Sequence, residues 1–184
     1  MIVGVDGWLQ KVCRVSSPNF DQRPEGSLVE LIVIHNISLP PGCYGTGHVA
    51  RLFTNSLDPL ADPFFAEIAE TRVSTHLLID RDGVATQFVG FADRAWHAGV
   101  SLFEGRPRCN DFSVGIELEG TDFEAFTDGQ YDTLNAVLEA LRVAYPIKAI
   151  RGHSDIASGR KTDPGPFFNW SRLASPSRVS IPNL

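Results

Sequence analysis

The sequence has few cysteines and no long apolar run, and both absences exclude classes of protein. Its three cysteines, Cys13, Cys43 and Cys109, cannot pair completely and show no CxxC spacing, so we expect free thiols, as in a reducing cytosol. No window approaches the roughly 18 consecutive apolar residues of a membrane-spanning helix. The N-terminus lacks a basic segment followed by an apolar one. The sequence therefore predicts a cytoplasmic protein with no membrane partner.

Positive charge is also scarce. Sixteen lysines and arginines stand against 22 aspartates and glutamates, which gives a net charge of −6. A nucleic-acid partner is not expected, because binding to phosphates requires a basic surface. Apolar residues make up 43% of the 184 residues, enough for one core, and no repeat is present. We expect a monomer with one domain over residues 1–184, in which 7–170 form the core and 171–184 a tail.

Apolar runs and turn residues predict a mixture of strands and helices. Strands are expected at 31–34, 75–79, 84–89, 112–119 and 147–150, and helices beginning near 62, 127 and 168. The turn Asp80–Gly83 predicts a hairpin, and Thr127 with Gln130 has capping-box spacing. The glycine-rich run 42–47 shows no signal for a following helix. These patterns favour an α/β fold with a mixed central sheet flanked by helices.

The predicted strand 112–119 has two different faces. Val114, Ile116 and Leu118 point to one side, whereas Glu117 and Glu119 point to the other. A strand with carboxylates on its second face borders either solvent or a polar site. The pattern alone favours a solvated Glu117.

Two histidines follow apolar runs of the strand type. His35 ends the run 31–34, His153 follows 147–150, and Asp163 lies ten residues further along the chain. Two imidazoles and one carboxylate can hold Zn²⁺ and leave a fourth tetrahedral position open. The spacing matches no local metal motif, so buried histidines with ordinary hydrogen bonds remain an alternative, and a cysteine–histidine nucleophile pair also stays open.

Five motifs, in order and in register, carry a resemblance that covers about residues 7–170. They read HNISLPPG at 35–42, STHLLIDRDG at 74–83, RAWHAG at 94–99, CNDFSVGIELEG at 109–120, and GHSDIA with RKTDPGP over 152–166. The chain resembles the zinc N-acetylmuramoyl-L-alanine amidases of type 2. That resemblance implies the α/β fold that these amidases share with peptidoglycan-recognition proteins.

The resemblance also implies a reaction and its residues. It places one Zn²⁺ on His35, His153 and Asp163, a general base and acid at Glu117, and a transition-state stabiliser at Lys161. The substrate it implies is a small muropeptide, cut between the lactyl group of (1,6-anhydro)-N-acetylmuramic acid and L-alanine of the stem peptide during peptidoglycan recycling.

Further residues receive expected roles from the same resemblance. Asn36, Arg72 and Arg108 are expected near the muropeptide, because arginine forks fit peptide carboxylates. His76, Trp96 and His97 are expected in the pocket wall or against the zinc ligands. Glu119 receives no catalytic role. The run 43–48 departs from the Phe-Gly-Gly sequence expected there, which leaves the shape of that loop open.

Three alternative functions remain at this stage. An amidase could act on intact wall or on non-anhydro muropeptides. A module of the same fold could bind peptidoglycan without cutting it, although members of that kind tend to lose ligands or catalytic residues. An unrelated α/β protein without zinc is the third.

Overall fold

A computed structural model describes residues 1–174 and 180–182 of the chain. A six-stranded sheet forms its centre, and two separate two-stranded ribbons lie beside it. The predicted tail at 171–184 falls partly outside the described residues, at 175–179 and 183–184. The domain bounds therefore stay a prediction.

The described residues form ten strands and four helices. The strands are β1 Cys13–Arg14, β2 Phe20–Asp21, β3 Leu31–Ile37, β4 Leu77–Ile79, β5 Ala85–Gln87, β6 Arg94–Ala95, β7 Leu102–Phe103, β8 Arg106–Pro107, β9 Ser113–Glu119 and β10 Ala149–Gly152. The helices are α1 His48–Phe53, α2 Phe65–Ile68, α3 Asp128–Ala144 and α4 His153–Ile156, with short 3-10 turns at Cys109–Asp111 and Trp170–Arg172.

The central sheet is mixed, as the sequence predicts. Its strand order is β1-β5-β4-β9-β3-β10. The neighbours of β9 and β3 are all parallel, whereas β4 and β5 form the predicted antiparallel hairpin. The parallel pairs place the carboxyl ends of β3, β9 and β10 along one edge of the sheet, where functional side chains can meet.

Helix α3 covers one face of the sheet. Val114, Ile116 and Leu118 of β9 pack there in one buried cluster with Leu134 and other apolar residues of α3. The helix begins where the sequence predicts, because the Thr127 hydroxyl accepts from the backbone of Gln130 and the Gln130 side chain accepts from the backbone of Thr127. It ends at Ala144, before Pro146. The opposite face of β9 is left for the site.

Several sequence predictions need correction. β3 continues to Ile37, so His35 lies within the strand and does not follow it. A helix begins at His48, after the run in which no helix signal was found. Gly47 precedes that helix in the left-handed conformation and offers no capping side chain, so the usual start signal is missing. The helix expected near 62 begins at Phe65, and Phe64 before it is 36% exposed.

The structure also bears on membrane-spanning helices and on the state of the cysteines. Within the described part of the chain, no helix has the length and apolarity needed to cross a bilayer. The three cysteines are unpaired, with Cys109 buried and the other two exposed. The expectation of free thiols is therefore confirmed.

We predict that the contact between α3 and the sheet dominates stability. Leu134→Ala removes a fully buried side chain and should lower the free energy of unfolding by about 2–5 kcal/mol. Val143→Ala on the same helix, where the valine is 86% exposed, should change it by less than about 0.5 kcal/mol. Urea unfolding followed by circular dichroism measures both, and equal losses would contradict this account.

Candidate metal centre and catalytic cavity

Strand register brings three site residues to the same edge of the sheet. His35 of β3 lies directly opposite Glu117 of β9. Gly152 of β10 lies opposite Ile34 of β3, so His153, the next residue, comes level with His35. Because these strands are parallel and share a register, their side chains converge although they are far apart in sequence.

Asp163 joins them from a loop. The Ser154 amide donates to the Asp163 carbonyl at 2.9 Å, which fastens the loop to the start of α4. Pro164 packs against Gly152 so closely that a Cβ at position 152 would lie 2.8 Å from the proline ring. The glycine before His153 thus allows the loop to approach the end of β10.

His35, His153 and Asp163 form a compact group of ligand atoms. Nδ1 of His35 lies 3.0 Å from Nδ1 of His153 and 3.0 Å from Oδ2 of Asp163, and the remaining side of the triangle is 3.1 Å. Ligand atoms at 2.0–2.1 Å from a tetrahedral zinc ion are about 3.3 Å apart. The spacing of these atoms therefore suits a small divalent cation.

The protonation of the group also suits a cation. Nε2 of His153 lies 3.1 Å from the Ala98 carbonyl oxygen, which can only accept, so the proton of His153 is on Nε2 and its Nδ1 carries a lone pair. Burial lowers the pKa of His35. Although burial opposes it, the adjacent imidazoles of His153 and His35 hold the pKa of Asp163 below its usual value. Neutral imidazoles and an ionised carboxylate are the ligand forms that zinc requires.

Glu117 is a buried carboxyl group beside this triad. Its Oε1 lies 4.0 Å from Nδ1 of His35, and its Oε2 has no hydrogen-bond partner among the described residues. Burial and repulsion from Asp163 raise its pKa well above the usual value, while the Lys161 charge opposes the shift. A carboxyl group in this position can take up and hold a proton.

The remaining histidines of the motifs occupy different places. His97 lies against His35, with its Nδ1 2.9 Å from Nε2 of His35. His76 is fully buried behind it and bonds the backbone, accepting from the Gly115 amide on Nδ1 and contacting the Asp93 carbonyl through Nε2. Burial, with the nearby Arg23 charge, lowers the pKa of His76 to about 3.

A cavity of about 660 Å³ opens over the triad. This volume suits a small ligand. Both polar and apolar residues line the cavity. The polar ones include His35, Asn36, His97, Glu117, Asp122, His153, Arg160, Lys161 and Asp163, and the apolar ones include Ile37, Leu39, Pro41, Leu52, Phe53, Phe64, Ile68, Val73 and Phe123.

The structure separates the remaining predicted residues into two groups. Lys161 and Asn36 line the cavity, and Asn36 donates to Asp122 at 2.7 Å. Arg72, Arg108 and Trp96 do not line it. Both arginines are largely exposed, and their guanidinium groups lie near Glu70 and Asp111, respectively.

Glu119 lies on the same face of β9 as Glu117 but makes different contacts. Its two carboxylate oxygens accept from the backbone amides of Gly45, at 2.7 Å, and Arg81, at 3.3 Å. It therefore joins the 42–47 loop to the hairpin turn.

Sequence reasoning missed three contributors to the site. The Ala98 carbonyl fixes the proton of His153, and no side-chain pattern can reveal a backbone acceptor. Arg160 donates to the Ala98 and Val100 carbonyls at 2.8 and 2.7 Å. Asp122 orients Asn36. Arg160 is the first residue of the motif RKTDPGP, and Asp122 lies two residues after the motif that ends at Gly120; these positions were the only available signal.

Comparison with known proteins agrees with this geometry. The family model described as N-acetylmuramoyl-L-alanine amidase matches residues 25–166. The chain is 58% identical over 169 residues to the 1,6-anhydro-N-acetylmuramyl-L-alanine amidase AmpD of Escherichia coli strain K12, covering 91% of this chain and 92% of that protein.

Solved structures show the same likeness. A crystal structure of a selenomethionine AmpD derivative superposes with a TM-score of 0.92 at 55% identity, covering 94% of this chain and 97% of that one. The Escherichia coli amidase AmiD, in complex with anhydro-N-acetylmuramic acid-L-Ala-D-γ-Glu-L-Lys, gives a TM-score of 0.60 at 28% identity, covering 83% of this chain and 59% of that one.

Proposed function

The chain belongs to the N-acetylmuramoyl-L-alanine amidase family, and from that premise we propose that it hydrolyses the amide bond between the lactyl group of 1,6-anhydro-N-acetylmuramic acid and L-alanine of the stem peptide. The observation that carries the proposal is the triad His35, His153 and Asp163 beside the free carboxyl oxygen of Glu117, at the base of one cavity. The activity would serve the recycling of peptidoglycan fragments.

We propose one Zn²⁺ per chain, held by Nδ1 of His35, Nδ1 of His153 and a carboxylate oxygen of Asp163. Two imidazoles and one carboxylate match the three protein ligands that catalytic zinc sites use. When bound, the ion supplies a Lewis acid that polarises the substrate carbonyl and lowers the pKa of a water molecule towards ~7.

Glu117 supplies the proton transfers. Its unpartnered Oε2 is available to accept the proton of the attacking water, and its raised pKa allows the carboxyl group to keep that proton. The leaving group is the amine of L-alanine, which must be protonated before it departs. The same carboxyl group can deliver that proton, so that Glu117 acts first as base and then as acid.

Lys161 supplies positive charge where the carbonyl oxygen becomes negative. Its side chain lines the cavity two residues before the ligand Asp163. A charged donor directed at a developing oxyanion stabilises the transition state more than the ground state, and removal of one such donor costs about 3–4 kcal/mol of activation free energy.

The proposal also includes the size of the substrate, the residues that would contact it, the oligomeric state and the location. The volume of the cavity supports a small muropeptide as substrate, and Asn36 in its lining would contact it. Arg72 and Arg108, outside the cavity, would meet carboxylates of the stem peptide beyond it, because exposed arginines can turn towards a ligand. A monomer in the cytoplasm fits a substrate of this size and a net charge of −6.

We predict that product analysis identifies the substrate. The metal-loaded protein, incubated with an anhydro-muropeptide, should release the anhydro sugar acid and the free peptide, identified by mass. Chelation should abolish this activity and lower the melting temperature, because an ion that binds only the folded state stabilises it by about 2.7 kcal/mol at 100 times its Kd. Full activity without metal would contradict the zinc role, and preferential cleavage of ordinary muropeptides would favour the wall-directed alternative.

We predict that Glu117→Gln retains zinc and loses roughly 10²–10⁴-fold in kcat, because the amide cannot exchange the proton. Glu119→Gln on the same strand face is the matched control and should keep kcat within a few-fold, since that carboxylate only bonds backbone. Metal analysis and steady-state kinetics measure both variants. Normal turnover of Glu117→Gln would remove Glu117 from the mechanism.

We predict that Arg108→Ala raises KM for peptide-bearing substrate several-fold with little change in kcat, as expected when a binding contact is lost without a transition-state contact. Arg14→Ala, which changes an exposed arginine paired with Asp6 near the sheet edge formed by β1, should leave KM unchanged. An unchanged KM in both variants would leave Arg108 with no part in substrate binding.

A further inference from the structure

We propose that His97 and Ser113 determine which nitrogen of His35 carries the proton, and thereby present Nδ1 of His35 to the metal as a lone pair. The inference rests on the metal-binding role proposed above for His35. It makes His97 a positioning residue and gives the start of β9 a part in the metal site.

The geometry is a chain of two hydrogen bonds that leads away from the triad. Nε2 of His35 lies 2.9 Å from Nδ1 of His97, and Nε2 of His97 lies 3.2 Å from Oγ of Ser113. The two imidazole rings meet almost at right angles, with an interplanar angle of 86°, so the ring edge of one faces the other. Ser113 is fully buried, so water does not compete for this end of the chain.

The positions of the protons in these two hydrogen bonds follow from the requirement of the metal. A neutral imidazole has one N–H, and a metal ligand must offer an unprotonated nitrogen. If His35 binds the metal through Nδ1, its proton is therefore on Nε2. That proton requires an acceptor, which Nδ1 of His97 provides. His97 then carries its own proton on Nε2 and donates it to Ser113, whose hydroxyl can accept.

The side chain of Asn110 holds the backbone at His97, and Gly115 leaves room for the His97 ring. The amides of His97 and Ala98 both donate to Oδ1 of Asn110, at 3.2 and 2.8 Å. A Cβ at Gly115 would lie 2.5 Å from Cγ of His97, so the ring occupies space that only glycine leaves free. His76 cannot replace His97, because its Nδ1 is already engaged by the Gly115 amide.

This arrangement assigns the whole polar face of β9 before Glu119 to the site. Ser113 ends the hydrogen-bond chain, Gly115 makes room for the ring of His97, and Glu117 lies beside the triad. Partners of metal-bound histidines commonly fix the tautomer and ring orientation of the ligand, and their loss reduces metal affinity 10–100-fold.

The first test measures zinc affinity by competition with a chelator. His97→Leu removes the acceptor and should raise the Kd for zinc 10–100-fold. His97→Asn places an amide oxygen near the position of Nδ1 and should restore the Kd to within about five-fold of the original chain. His48→Leu, which changes a histidine at the start of α1 that does not line the cavity, is the control and should leave the Kd unchanged.

Two results would overturn the inference. One is a His97→Leu variant that binds zinc as tightly as the original chain. The other is a His97→Asn variant that loses as much affinity as His97→Leu, since the loss would then come from packing and not from the missing acceptor. If the original chain bound no zinc, the proposed function would fail together with this inference.

The second test needs no variant. In the zinc-loaded protein, ¹⁵N spectra of the imidazole nitrogens should show protons on Nε2 of both His35 and His97. A proton on Nδ1 of His97 would mean that His97 donates to His35 and does not accept from it. That result would overturn the inference, even if zinc is bound with full affinity. This outcome is distinct from failure of the proposed function, which would appear as loss of zinc binding in the original chain.

Discussion

The parallel, in-register pairing of β3 with β9 and β10 is the constraint on which the site depends. It sets His35 opposite Glu117 and brings His153 level with His35. Backbone hydrogen bonds between buried strands are costly to break, because unpaired amides and carbonyls in a core lose their solvation. The relative positions of His35, His153 and Glu117 are thereby fixed by the sheet.

Burial of these polar groups then gives them their chemical properties. Desolvation lowers the pKa of His35 and raises that of Glu117, so the two groups favour their neutral forms in the absence of a counter-charge. The pKa of Asp163 stays below its usual value because the two adjacent imidazoles outweigh the effect of burial. A divalent cation in the triad would balance that carboxylate and favour ionised Glu117, which is the form that accepts a proton from water. The same low-polarity surroundings therefore support both metal binding and proton transfer.

The polar face of β9 shows how closely the fold and the site are connected. One strand packs Val114, Ile116 and Leu118 against α3 on one side, and places Glu117 beside the triad on the other. A shift of the register by one residue would exchange these faces and bury the carboxylates in the apolar core. Stability and function thus impose the same register on this strand.

The sequence by itself determined much of this protein. Alternating apolar residues predicted β9 and its two faces, capping residues predicted the start of α3, and the five motifs identified the family and the candidate ligands. It did not reveal α1, whose start has no capping side chain, or the extension of β3 beyond His35.

Only the tertiary structure decided which of the candidate residues meet. It placed Asn36 and Lys161 in the cavity and left Arg72 and Arg108 outside it. It also separated His97, which contacts His35, from His76, which bonds the backbone. The physical reason is that local patterns report burial and backbone preference over a few residues. The approach of His35, His153 and Asp163 depends on strand pairing and loop packing across more than a hundred residues of chain.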